Sequence, residues 1–226
     1  MTSTFEDEYQ NVVYIVIDVE SDGASVAENS MFALGGAAIR VRDKAVLGRF
    51  AFNVKVSKNK EVEHRCYDEF WSKFKGTWDA LHDNPASRRT VAQGIVGFAQ
   101  KFKDYNVMFA SDCSVYDWKW VDNLLLEHCD TGNIFGYTAM DIYSYAAGAF
   151  KKSRKDVWKK IKQLEAAGLV NVDGIKHDHD PYNDALQEAC LLVDLIRLNH
   201  DEAPALLTPT CVLTAPRPHN SNIYSE

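Results

Sequence analysis

Four carboxylates and one imidazole stand where strands end or helices begin in this sequence: Asp18, Glu20, Asp117, His179 and Asp184. Asp18 and Glu20 close the apolar run Val12-Val13-Tyr14-Ile15-Val16-Ile17. Residues i and i+2 of a strand point to one face, so both carboxylates can reach one cation. The end of such a strand is where open α/β sheets take their ligands. Asp117 opens a helical segment after the short strand Val107-Met108-Phe109-Ala110, and His179 and Asp184 bracket the start of the last long helix. Oxygen donors of this kind hold hard divalent cations, and an imidazole titrating near neutrality can take a proton from water. Each feature also has a plainer reading. Asp18-Val19-Glu20 can be a solvated turn, and Asp117 can compensate a helix dipole. Asp112 competes with Asp117, and His177 in Lys176-His177-Asp178-His179-Asp180 competes with His179.

The elements that must position these groups follow from periodicity. Val12 to Val19 reads as a strand buried on both faces. Met31 to Val41 and Val46 to Val56 read as a hairpin, the second strand alternating apolar and polar residues. Helices are predicted over Tyr67–Leu81, Ser87–Phe102, Ser114–Cys129, Ala139–Phe150, Ser153–Ala167 and Pro181–Asn199. Ser87 is the expected N-cap of the second, Gly168 stops the fifth, and Pro181 opens the last. The order predicts an α/β layer fold with a mixed sheet. Residues 1–202 are expected to form one domain, and residues 203–226 an extended or disordered tail.

Composition narrows the function classes. The chain has 226 residues, 46% of them hydrophobic, enough for a sizeable core. Its net charge of −7 argues against coating long nucleic acid electrostatically, but not against gripping a strand end through cations. The cysteines are odd in number and lack zinc-ligand spacing. That predicts neither a disulfide framework nor a zinc site, and favours a reducing, cytoplasmic compartment. The first ten residues lack the apolar core of a signal peptide, and no apolar run is long enough to predict a membrane span. Lys151, Lys152, Arg154, Lys155, Lys159, Lys160 and Lys162 concentrate positive charge, as a solvated helix face or as a guide for a phosphate backbone.

The conjunction of motifs resembles the DEDDh family of 3′–5′ exonucleases, which contains the proofreading exonuclease subunit, ribonuclease T and oligoribonuclease. Its D-x-E, helix-opening Asp and H-x-x-x-x-D correspond to Asp18-Val19-Glu20, Asp117, and His179 through Asp184. Met31 to Ile39 resembles the family's second strand, and Asp141-Ile142 its Asp-Thr step. Glu69-Phe70-Trp71-Ser72-Lys73 is similar to a segment of certain bacterial and viral 3′–5′ exoribonucleases. The likeness spans about Val12 to Asn199.

The resemblance implies a ribonuclease H-like three-layer fold, a mixed five-stranded sheet flanked by helices. It implies two Mg²⁺ or Mn²⁺ ions, with Asp18 bridging, Glu20 and Asp184 completing the site that activates water, and Asp117 holding the second ion. His179 would take the proton. Ser21, Gly23, Trp71 and Lys155 are the expected substrate contacts, with Trp71 the preferred stacking residue. The implied reaction releases nucleoside 5′-monophosphates from a single-stranded 3′ end. RNA is preferred, with a DNA exonuclease or proofreader as the alternative; a non-catalytic binding module, or a phosphoesterase acting on small phosphodiesters, stands behind them. A homodimer is implied as well. One departure stands out: Ser21-Asp22-Gly23-Ala24 has no large apolar residue where the family carries a wedge.

Overall fold

The computed structural model describes residues 4–170, 172 and 177–200. A short helix, α1 (Phe5–Tyr9), precedes the sheet; the sequence reading had no element here, although Thr4 and Asp7 cap it reciprocally. Then come β1 (Val12–Ser21), β2 (Met31–Arg40) and β3 (Ala45–Asn53), followed by α2 (His64–Glu69), a 3₁₀ turn over Trp71–Phe74, α3 (Lys75–Leu81) and α4 (Arg88–Gln100). The chain returns through β4 (Asn106–Ser111), α5 (Ser114–His128), β5 (Ala139–Asp141), α6 (Ile142–Ala149), α7 (Arg154–Ala166) and α8 (Pro181–Asn199).

The sheet order is β3-β2-β1-β4-β5. The hairpin strands pair antiparallel, β1 and β4 pair parallel, and so do β4 and β5. This is the mixed five-stranded sheet the resemblance implied. Helices cover both faces. Val13, Ile15 and Ile17 pack with Ile95, Phe98, Val121 and Leu124 of α4 and α5. Tyr14 and Val16 pack with α6, α7 and α8 through Ile142, Ile161, Leu186, Ala189 and Val193. Alternation along β1 therefore turns Asp18 and Glu20 toward the α8 side.

Two predicted helices are broken. Residues 139–150 begin as β5, because Ala139 to Asp141 pair with Phe109 to Ser111. The Asp141 carboxylate then accepts from the Ser144 N–H and caps α6. The helix expected over residues 67–81 breaks at Phe70, where the buried Trp71 is drawn onto Ser21, its indole N–H donating to the Ser21 carbonyl at 3.1 Å. The expected tail, residues 203–226, lies outside the described residues. Among the described residues, no helix is long and apolar enough to cross a membrane.

Candidate active site

β1 runs on past the end of its pairing with β4, which stops at Val16 opposite Ala110. Asp117, in the first turn of α5 and 2% exposed, fills the gap: its Oδ1 accepts the Val19 N–H at 3.1 Å. The third acid thus comes from the opposite helical layer and is tied to the strand that carries Asp18 and Glu20. Asp112, the competing residue, lies at the end of β4, and its carbonyl accepts from Arg154 Nη2 at 3.1 Å.

Asp184 is delivered by the first turn of α8, which is built to sit close to the sheet. Asp180 caps the helix through the Tyr182 N–H, and Pro181 supplies a preset φ. Beneath it lies Gly35, directly opposite Asp18 on β2; a Cβ there would overlap the Pro181 carbonyl. From β3, Arg49 donates to the Tyr182 carbonyl at 2.5 Å, and its guanidinium lies 3.5 Å from the Tyr182 ring centroid. Gly35 and Arg49 are positioning residues that the sequence reading did not identify.

Asp184, 1% exposed, accepts N–H groups from Asp178 at 3.2 Å and His179 at 3.1 Å. The competing histidine, His177, places Nδ1 3.2 Å from Asp184 Oδ2. His179 has φ 59°, in the left-handed region, and its ring packs edge-on against Phe70 and Phe74. The structure thus brings both imidazoles to Asp184, one by its ring and the other by its backbone. Hydrogen bonding to Asp184 raises the His177 pKa, whereas burial lowers that of His179.

Carboxylate oxygens of Asp18, Glu20 and Asp184 lie within 4.8 Å of one another. Asp18 Oδ2 and Asp117 Oδ2 are buried and have no hydrogen-bond partner among the described residues. Burial, then mutual repulsion, holds the Asp18, Glu20 and Asp117 carboxyls well above their ordinary range. An all-oxygen set with orphaned, mutually repelling carboxylates fits divalent cations, which would supply the missing positive charge.

A further acid was missed. Glu188, one turn beyond Asp184 and 8% exposed, accepts the Asp112 N–H at 3.3 Å. Burial, then the charges of Asp112 and Asp18, raises its carboxyl as well. The signal was its i+4 spacing from Asp184 on the same helix face.

The expected substrate contacts fare differently. Ser21 is buried; its hydroxyl donates to the Gly23 carbonyl at 2.6 Å and meets the Tyr116 hydroxyl. Gly23 is packed over Asn29. Trp71 corrects the stacking expectation: at 1% exposure it has no free face for a base, and it supports the Ser21 carbonyl instead. Its neighbour Phe70 is only half-buried and lines an open cleft of about 280 Å³ with Gly23, Ala24, Glu69 and Tyr116. Lys155 is exposed on α7; its neighbour Arg154 lies 3.7 Å from Asp141.

No protein-family model matches this chain, and no curated protein matches it. Solved structures do. The nuclease domain of 3′hExo, a DEDDh family member bound to rAMP, is 13% identical over 84% of this chain and 94% of that one, with a TM-score of 0.59. Cell-death related nuclease 4 is 16% identical over 82% of this chain and 64% of that one, with a TM-score of 0.62. E. coli exonuclease I in complex with a 5cy-dA13 oligonucleotide is 12% identical at a TM-score of 0.51; the match covers 83% of this chain and 40% of that one. At these identities the likeness is one of fold, and that fold is the ribonuclease H-like one.

Proposed function

We propose that this chain is a DEDDh-type 3′–5′ exonuclease that removes nucleoside 5′-monophosphates from single-stranded 3′ ends, with RNA preferred over DNA. The observation that carries this reading is the convergence of Asp18, Glu20 and Asp184 to within 4.8 Å, with Asp117 tied to the same strand, on a fold shared with 3′-exonucleases.

Asp18, Glu20 and Asp184 would hold one divalent cation, and Asp18 with Asp117 a second. Such ions, when bound, neutralise charge on a phosphate and acidify a nucleophilic water. His179 takes the water's proton at a ring nitrogen. Its lowered pKa keeps the imidazole neutral and receptive at pH 7. The terminal nucleoside enters the cleft beside Ser21, where Phe70 and Tyr116 offer aromatic surface in place of the absent wedge. Arg154 and Lys155 at the start of α7 meet the backbone of the strand behind it.

The RNA preference is supported by the likeness of the Glu69–Lys73 segment to exoribonucleases. The neighbours named above include both a domain bound to rAMP and an enzyme bound to a deoxyoligonucleotide. Matched, end-labelled RNA and DNA strands incubated with Mn²⁺ test the proposal, with Asp18→Ala as control. Stepwise shortening from the 3′ end by the parent protein alone, faster on RNA, is expected. Faster loss of DNA would overturn the sugar preference, and no shortening of either strand would overturn the enzyme.

We also propose a homodimer, on the family resemblance; light scattering at the monomer mass removes it. Residence in the reducing cytoplasm is proposed as well, since Cys66, Cys113 and Cys129 are free thiols. Finding the native protein in a secreted fraction would remove that.

A further inference from the structure

Beside the oxygen-lined cluster lies a second donor set that the proposed nuclease chemistry uses only in part. Ring nitrogens of His177 and His179 and a carboxylate oxygen of Asp184 lie within 4.8 Å of one another. The closest pair, His177 Nδ1 and Asp184 Oδ2, is 3.2 Å apart. The two rings meet edge to face, with centroids 4.8 Å apart and an interplanar angle of 72°. His179 is backed by Phe70 and Phe74 at centroid distances of 4.8 and 4.4 Å, which restricts its rotation. Two backbone N–H groups hold the Asp184 carboxylate from the side of the same loop.

We propose that His177, His179 and Asp184 form a second site for a borderline transition cation, Zn²⁺ above all, sharing Asp184 with the site lined by Asp18 and Glu20. The donor chemistry divides the two. Imidazole suits zinc and its neighbours in the transition series, whereas carboxylate sets suit Mg²⁺ and Mn²⁺. Zinc accepts two nitrogens and one carboxylate oxygen with a fourth position left to water. At bond lengths of about 2.0–2.2 Å, tetrahedral ligands stand roughly 3.3–3.5 Å apart, close to the His177–Asp184 separation. The exposed His177 gives an ion access from solvent. Cysteine spacing offers zinc no site in this chain; two histidines followed by an aspartate supply the donors instead.

Asp184 belongs to both donor sets, so the sites compete. A zinc ion here withdraws one carboxylate from the oxygen-lined site and occupies the ring nitrogen of His179. Zinc is then an inhibitor of the proposed nuclease; that consequence rests on the nuclease reading, whereas the site itself does not.

Zinc titration by calorimetry, without nucleic acid, tests the site. The Asp18→Ala protein lacks a ligand of the oxygen set and keeps all three of this one. It is expected to bind one Zn²⁺ per chain, and Co²⁺ in place of zinc should show the visible absorption of a four-coordinate site. Adding His177→Gln or His177→Ala should weaken zinc by at least tenfold, since even an outer-shell change costs about 10–100-fold. Circular dichroism verifies the fold of each variant. Zinc binding lost with Asp18→Ala alone, or unchanged by both His177 substitutions, would overturn the site. An inactive parent protein that still binds zinc through His177 would overturn the nuclease reading only.

Discussion

The backbone N–H of Val19 donates to Asp117 Oδ1 at 3.1 Å, joining the strand that carries Asp18 and Glu20 to the helix that carries the third acid. The other oxygen, Oδ2, is buried without a hydrogen-bond partner. Asp117→Asn keeps the acceptor and removes one charge from a crowded cluster. The cation-free protein is expected to gain stability, because repulsion from the Asp18 and Asp112 carboxylates is relieved. Exonuclease activity should fall by at least about a hundredfold, the scale of losing a preorganised electrostatic contact. Urea unfolding in EDTA and single-turnover cleavage measure the two; loss of stability with retained activity would contradict both.

Without cations, stability should fall as pH rises. Asp18, Glu20, Asp117 and Glu188 all have carboxyl pKa values raised above the ordinary 3.8 or 4.5. The folded protein then binds more protons than the unfolded chain, so their contribution is full below those ordinary values and is lost as pH climbs through the raised ones. His177, raised by its bond to Asp184, adds a loss in the same direction above 6.5. Thermal midpoints in EDTA should decline from pH 5 to 8, and Mn²⁺ should flatten the profile. A rising EDTA profile would refute the assignment.

Gly35 and Gly97 make a matched pair. A Cβ on Gly35 would meet the Pro181 carbonyl and push the first turn of α8 off the sheet. Gly35→Ala should cost about 1–3 kcal/mol and displace Asp184, lowering activity further than stability alone explains. Gly97, exposed on α4, has nothing within 4 Å of a Cβ. Gly97→Ala should stabilise by up to about 1 kcal/mol with activity unchanged.

Trp71→Phe removes the N–H that holds the Ser21 carbonyl while keeping most of the ring. The expected cost is about 1–2 kcal/mol, the scale for leaving a buried acceptor unpaired. Since Ser21 also meets Tyr116 at the cleft, KM for the oligonucleotide should rise as well. An unchanged KM would mean that Trp71 serves only the core.

Far from the site, Lys44 Nζ pairs with Asp194 Oδ2 at 2.7 Å, and the Asp194 side chain is fully buried. Lys44→Met should destabilise by about 3 kcal/mol, because the buried Asp194 carboxylate loses the Lys44 ammonium. Cleavage per folded molecule should be unaffected.

Much of the site's outline was legible because it rests on short-range rules. An i, i+2 pair on a strand shares a face wherever the strand lies, and an acid after Pro181 falls in the first turn of α8 whatever α8 packs on. The same locality yielded Ser87 as an N-cap, and Gly168, at φ 68°, just beyond α7. Other features depend on partners far along the chain. Trp71 breaks a helix because Ser21, 50 residues away, needs a donor. Residues 139–141 become a strand only because β4 offers an edge. Glu188 joins the cluster through Asp112, 76 residues distant.

By itself, then, the sequence determined which side chains are candidates for the chemistry and which strand end and helix turns present them, since spacing within one element fixes direction. Tertiary structure alone decided how they meet. It placed Asp117 against Val19 across two layers, brought Asp184 down onto Gly35, and turned both histidines toward one carboxylate. Those relationships depend on how closely separate elements pack, and no local pattern encodes that distance.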